Sequence, residues 1–167
     1  MRINLLIITI VIFISLSTIV FAQSFRDKVI ISPDISYVWN FQTGFEELYR
    51  FVKFTKPMKI EYSLELGERR IGEMEVLIDK NRTDYITFAE NLYEREINII
   101  EIELNSTAGF DILEILKSVN LNKTDVINRL QTQIKVLGDI SVKVSEPLKT
   151  SIINAAKRSS KIVGMLG

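Results

Sequence analysis

Between residues 34 and 166 apolar side chains return every three or four positions, and none of the three prolines falls inside one of these periodic stretches. A helix of 3.6 residues per turn brings positions i, i+3, i+4 and i+7 onto one face, so this rhythm specifies helices. Proline within a helix costs about 3 kcal/mol but is tolerated in the first turn. Pro33, Pro57 and Pro147 each stand where a periodic stretch begins. The pattern predicts helices over residues 34–54, 57–80, 83–104, 109–120, 124–144 and 147–166. Short links between long helices favour antiparallel neighbours. The expected fold class is therefore all-α: an antiparallel helical bundle built from helical hairpins, with five to six helices.

The expected stripes are specific. Val38, Phe41, Phe45, Leu48 and Val52 share a face of the first helix, flanked by Tyr37 and Phe51 on one side and by Trp39 and Tyr49 on the other. A face this wide suits a helix that touches two neighbours, or one that leaves part of its surface to a partner. The second helix offers Ile60, Leu64, Gly67, Ile71, Met74 and Ile78, and the third Ile86, Ala89, Tyr93, Ile97, Ile100 and Leu104. Ile127, Leu130, Ile134, Leu137 and Val144 line the fifth, and Leu148, Ile152, Ala155, Ile162 and Leu166 the sixth. Two stretches also alternate with the period of a strand, at residues 100–104 and 140–144. Each continues a longer helical stripe, which decides in favour of helix.

The start of the chain is different. Met1-Arg2 is followed by an uncharged run, residues 3–21, dominated by Ile, Leu, Val and Phe. It ends Val20-Phe21-Ala22, and polar sequence follows from Gln23. Small or modest side chains at the third-last and last positions suit a signal peptidase, so residues 1–22 read as a signal peptide. The alternative is an uncleaved membrane anchor, for which the run is just long enough. Both place residues 23–167, expected to form a single all-helical domain, outside the cytoplasm: secreted, periplasmic or at the cell surface. The membrane is then a partner only through residues 1–22, if uncleaved.

Composition narrows the chemistry. The chain has no cysteine and no histidine. Disulfides, thiolate metal sites and thiol nucleophiles are excluded, as are Ser-His-Asp and Cys-His machinery. Lys plus Arg equals Asp plus Glu, at 21 each, so no net field draws the chain to nucleic acid. No cofactor, metal or catalytic residue is expected, and the chain is not read as an enzyme. A non-enzymatic interaction, sensor or accessory module of the cell envelope is expected, its partner another envelope protein. The alternative is an exported protein that binds a ligand or divalent cation on Glu-rich helix faces.

Three places carry a family resemblance: Pro33-Asp34 opening an aromatic-rich helix, Lys56-Pro57 leading to Glu68-Arg69-Arg70-Ile71-Gly72-Glu73-Met74, and Val144-Ser145-Glu146-Pro147 running into Ile152, Ala155, Ala156 and Ser159. In these the chain resembles an uncharacterised family of exported all-helical domains of bacteria and archaea. It departs by carrying Gly67 and Gly72 where longer helix formers are usual, and by lacking a His that relatives often place in the fifth helix. The resemblance implies helical hairpins and an envelope location, and no activity.

Candidate interaction residues follow from side-chain type. Trp39 and Tyr49 lie off the main stripe of the first helix, and such residues often anchor interfaces. Glu65, Arg69 and Glu73 step by four along the second helix, either as a charged patch for a ligand or as an exposed ion-pair ladder. Glu61, Glu65 and Glu68 share a face, as do Glu90 and Glu94. Asn81, Asn105 and Asn122 each open an Asn-x-Ser/Thr acceptor pattern for glycosylation, all in expected loops.

Overall fold

A computed structural model describes residues 34–53, 55–106 and 121–167. The expected leader over residues 1–22, Pro33 and the expected helix over 109–120 lie outside the described residues. Five α-helices follow one another: α1 (Ser36–Val52), α2 (Lys56–Asp79), α3 (Ile86–Asn105), α4 (Lys123–Ser141) and α5 (Leu148–Leu166). A single 3₁₀ turn, Thr83–Tyr85, precedes α3. All fall within one compact unit, Ile31–Gly167.

The helix ends obey local chemistry. Pro57 occupies the first turn of α2, where its missing N–H removes nothing. At the other end Asn81 adopts φ 55°, and the amides of Asn81 and Arg82 donate to the carbonyls of Ile78 (2.9 Å) and Leu77 (2.8 Å). This is a left-handed C-terminal cap, and Asn is among the few residues that accept the conformation cheaply. Asn122 caps α4: its Oδ1 accepts from the Asp125 amide at 2.7 Å.

Helices α2 and α3 form one hairpin, α4 and α5 the other, and they meet through α2 against α4 and α3 against α5. Within the first hairpin Lys59 pairs with Glu103 (2.9 Å) and Gly67 faces Tyr93, as antiparallel neighbours must. In α2, α3 and α5 the dry interior follows the expected stripes, with Ile78 and Leu148 at its margin; on α4 Val126 and Ile140 are buried where Ile127 and Val144 are only partly so. Ile60, Leu64, Ile71 and Met74 of α2 pack with Tyr93, Ile97, Ile100 and Leu104 of α3, and Leu130, Leu137, Ile152 and Ile162 close it from the second hairpin. The first alternating segment resolves as helix: α3 runs on through Asn105, with Ile102 exposed. The second does so only in part: α4 ends at Ser141, three residues short of the expected 144, and residues 142–144 turn away with Val142 in solvent.

One departure lies at the centre. On α4 Gln133, not Ile134, faces inward. Its Nε2 donates to the Leu64 carbonyl (3.3 Å), its Oε1 accepts from the Tyr93 hydroxyl (3.1 Å), and that hydroxyl also meets Ser159 Oγ at 2.7 Å. A polar knot thus joins the four helices of the two hairpins. Burial pushes the Tyr93 phenol well above its ordinary range, so it stays neutral. Gly67 is explained here: a Cβ would stand 3.3 Å from Gln133 Oε1 and 3.5 Å from the Tyr93 ring. A side chain there would crowd the Gln133 oxygen, so the position suits the smallest residue.

Candidate interaction surface

Helix α1 lies against the outside of this body with its polarity reversed. The face turned to the body carries Trp39, Gln42, Glu46 and Arg50; the face turned to water carries Tyr37, Phe41, Leu48 and Phe51, exposed by 90, 59, 63 and 81 %. The sequence stripe of α1 exists, but it is not the buried one: Val38 and Val52 are also about half exposed, and Phe45 is half-buried. The expectation that this stripe faces the core is corrected.

What holds α1 is charge. Glu46 is completely buried and receives two arginines from α2: Arg69 Nη1 at 3.2 Å from Oε1, and Arg70, whose Nη2 meets Oε2. Gln42 Nε2 donates to Glu46 Oε1 at 3.0 Å. Arg70, itself fully buried, donates through Nη1 to both oxygens of Glu73 (2.7 and 2.9 Å), and its guanidinium lies 5.8 Å from the Trp39 ring. Further along, Arg50 Nη2 donates to Glu96 of α3 at 2.6 Å. Arg95 reaches Glu47 and comes within 3.6 Å of Glu96. Four carboxylates (Glu46, Glu47, Glu73, Glu96) thus meet four guanidiniums (Arg50, Arg69, Arg70, Arg95). Burial would lower the Arg50 guanidinium, but the hydrogen bond and charge of Glu96 raise it further. Burial lowers Arg69, offset in part by Glu73. Tyr62 completes the seat: its hydroxyl donates to the Glu46 carbonyl (3.3 Å), and its ring meets Tyr49 edge-on at 5.2 Å.

The candidate residues therefore divide. Trp39 is turned inward, 8 % exposed, against Arg70. Tyr49 is about half exposed at the edge of the same seat, with Lys53 Nζ 4.8 Å from its ring centroid. Arg69 and Glu73 keep one rung of the expected ladder, at 3.7 Å, but it is not exposed: α1 covers it, and the closer partners of the two are Glu46 and Arg70. Glu65 alone of that trio faces solvent. The other acidic faces are engaged. Arg129 clasps Glu68 at 2.6 and 3.0 Å, Ser151 donates to Glu90 at 2.8 Å, and Lys161 donates to Glu101 at 2.7 Å. Among the described residues no acidic cluster is placed to hold a metal ion. Asn81, Asn105 and Asn122 are all exposed, at the end of α2, the end of α3 and the start of α4.

Sequence reasoning missed Glu46, Arg50, Arg70 and Glu96 as the residues that position α1. The available signal was a negative one: a helix whose charges, Glu46 and Arg50, cluster opposite its apolar arc can lie either way round, and only the partners decide.

Along the outward face, Asn40, Phe41, Gly44, Phe45 and Leu48 border a shallow groove of about 300 Å³. Among the described residues, a Cβ on Gly44 would meet nothing within 4 Å. Among the described residues no helix is long and apolar enough to cross a membrane. Neither a curated protein nor a solved structure matches the chain. A family model does: residues 30–147, spanning α1 to α4 and ending where α5 begins, match the domain of unknown function DUF5667, and the chain belongs to that family.

Proposed function

We propose that the chain is an exported, non-enzymatic docking module of the cell envelope whose working surface is the outward face of α1, its partner a protein of the same compartment. The observation that carries this reading is the reversed polarity of α1. Contiguous apolar surface beyond a few hundred Å² is uncommon on monomers and marks interaction sites. Tyr37, Phe41, Leu48 and Phe51 form such a surface with no charged side chain among them. The charged seat beneath keeps the helix presented rather than letting its apolar face roll inward. Export is supported by residues 1–22, with their positive start, uncharged apolar run and small-residue end.

Two experiments test it. A photo-crosslinking amino acid at Leu48 in cells should give protein adducts, and the same group at exposed Lys135 on α4 should not. Equal labelling at both sites, or none at Leu48, would overturn the docking surface. A phosphatase reporter that folds only outside the cytoplasm, fused after Gly167, should be active. An inactive fusion would overturn export, and activity that persists when residues 1–22 are deleted would overturn their part in it.

A further inference from the structure

The outward face of α1 has an internal order that selects its occupant. Tyr37, Phe41, Gly44, Leu48 and Phe51 follow one another at steps of four, three, four and three. That is the heptad spacing of a coiled-coil seam, made to meet another helix. The seam is large at each end and has a notch at Gly44, where among the described residues no atom stands within 4 Å of a would-be Cβ. The adjoining ring of Phe41 packs on Phe45 at 4.6 Å between centroids and stands beside the groove. A bulky side chain and an empty notch one helical turn apart form a self-complementary pair. In an antiparallel arrangement Phe41 of each helix enters the Gly44 notch of the other, and Leu48 lies level with Tyr37. A parallel pair would stack Gly44 on Gly44 and leave a void, and its helix dipoles would oppose it.

Resting on the docking reading above, we infer that the occupant of this face is α1 of a second copy of the chain, packed antiparallel about a twofold axis. Isologous twofold contacts are the commonest in oligomers and require such self-complementarity. Tyr37, Phe41, Leu48 and Phe51 with Val38 and Val52 offer on the order of 700 Å² of apolar surface, close to the roughly 800 Å² per partner of a stable interface. A bilayer is the poorer fit. Surface-seeking helices keep Lys and Arg on a solvated polar face, whereas the polar face of α1 is turned inward, its Arg50 is bonded to Glu96, and Glu47 borders the apolar arc.

The chain has no cysteine, so engineered thiols are unique. Full-length Tyr37→Cys and Leu48→Cys chains, differently tagged and mixed in mild detergent, should oxidise to a dimer containing one of each. Each variant alone should link at least tenfold less. Full-length wild type should sediment at twice its 19.2 kDa chain mass after correction for detergent. Gly44→Leu, which fills the notch with a better helix former, should weaken association at least tenfold with no loss of helical signal. Self-linking of each variant alone would overturn the antiparallel register. A monomeric wild type overturns the inference in each of three forms: with Leu48→Cys shielded from maleimide by the chain's own residues 1–33 or 107–120, with the α1 face partitioning into phosphatidylglycerol vesicles, or with Leu48 crosslinking only to another protein. The last leaves the docking reading standing. No adduct of any kind from Leu48 sinks both.

Discussion

The two interfaces of α2 are built from opposite materials. Toward α3 and α4 it presents Ile60, Leu64, Ile71 and Met74 to a dry core, whereas toward α1 it presents Arg69, Arg70 and Glu73 to Glu46. Apolar packing is non-directional and gains free energy roughly in proportion to area. Buried ion pairs gain little over an apolar substitute, yet losing one partner is costly. The seat of α1 is also imperfectly satisfied: Trp39 Nε1, Arg70 Nε, Arg50 Nη1 and Glu96 Oε2 have no hydrogen-bond partner among the described residues. Such a network specifies one position for a helix more than it adds affinity. The body is therefore what keeps the chain folded, and the seat is what fixes the way α1 faces.

The sharpest way to break that contrast is Arg70→Met. It removes the closest partner of buried Glu73 and one of the two arginines of Glu46, leaving Arg69 alone to face both carboxylates, a change expected to cost about 3–5 kcal/mol. The loss should appear as rapid hydrogen exchange across α1, since an undocked helix of 17 residues is marginal in water, with α3 and α5 amides still protected. Uniform loss of protection would show that seat and body are one cooperative unit. Next in size is Leu130→Ala in the body, expected to cost about 3 kcal/mol through lost burial and a cavity. Denaturant midpoints should fall and all helices should lose protection together; loss confined to α4 would make the body less cooperative than proposed. Gly67→Ala should leave stability in urea unfolding within about 1 kcal/mol of wild type, because crowding of Gln133 Oε1 at 3.3 Å opposes the gain from removing a glycine from a helix interior. Repeating it in a Gln133→Ala background should turn it stabilising by about 0.5–1 kcal/mol, because the crowded oxygen is then gone.

The smallest effect concerns a carboxylate that the body buries without an arginine. Glu90 meets the Ser151 hydroxyl, and burial raises its carboxyl above the ordinary 4.5, with Glu94 adding to the rise and Ser151 opposing it. The folded state then binds the proton more tightly than the unfolded chain, so ionised Glu90 costs stability. The cost is absent below about 4.5, grows as pH rises through the raised value, and is complete above it. Glu90→Gln should match wild type in acid and gain on it as pH rises through that window. A constant difference across urea midpoints from acid to neutral pH would contradict this.

The sequence was informative where one helix decides for itself. Pro57, the Asn122 cap and the six-residue stripe of α3, from Ile86 to Leu104, each state a local fact that the structure retains. Periodicity says which side chains share a face. It does not say which way the face looks, and α1 is where that gap shows. Phe41 and Leu48 read as core because apolar stripes usually are core, while the partners of Glu46 and Arg50 stand 23 to 46 positions away as Arg69, Arg70 and Glu96. Gln133 fails for a similar reason: its inward turn depends on Tyr93 and the Leu64 carbonyl, which no window along α4 contains.

Only residues 53–55 separate α1 from α2. A tether this short holds the helix at a local concentration in the millimolar range or above, so a seat too weak to capture a free peptide still retains its own. Severing the backbone there would leave every contact of the seat in place, yet α1 would then diffuse away on dilution. Connectivity, rather than grip, is what lets so polar a joint stay closed.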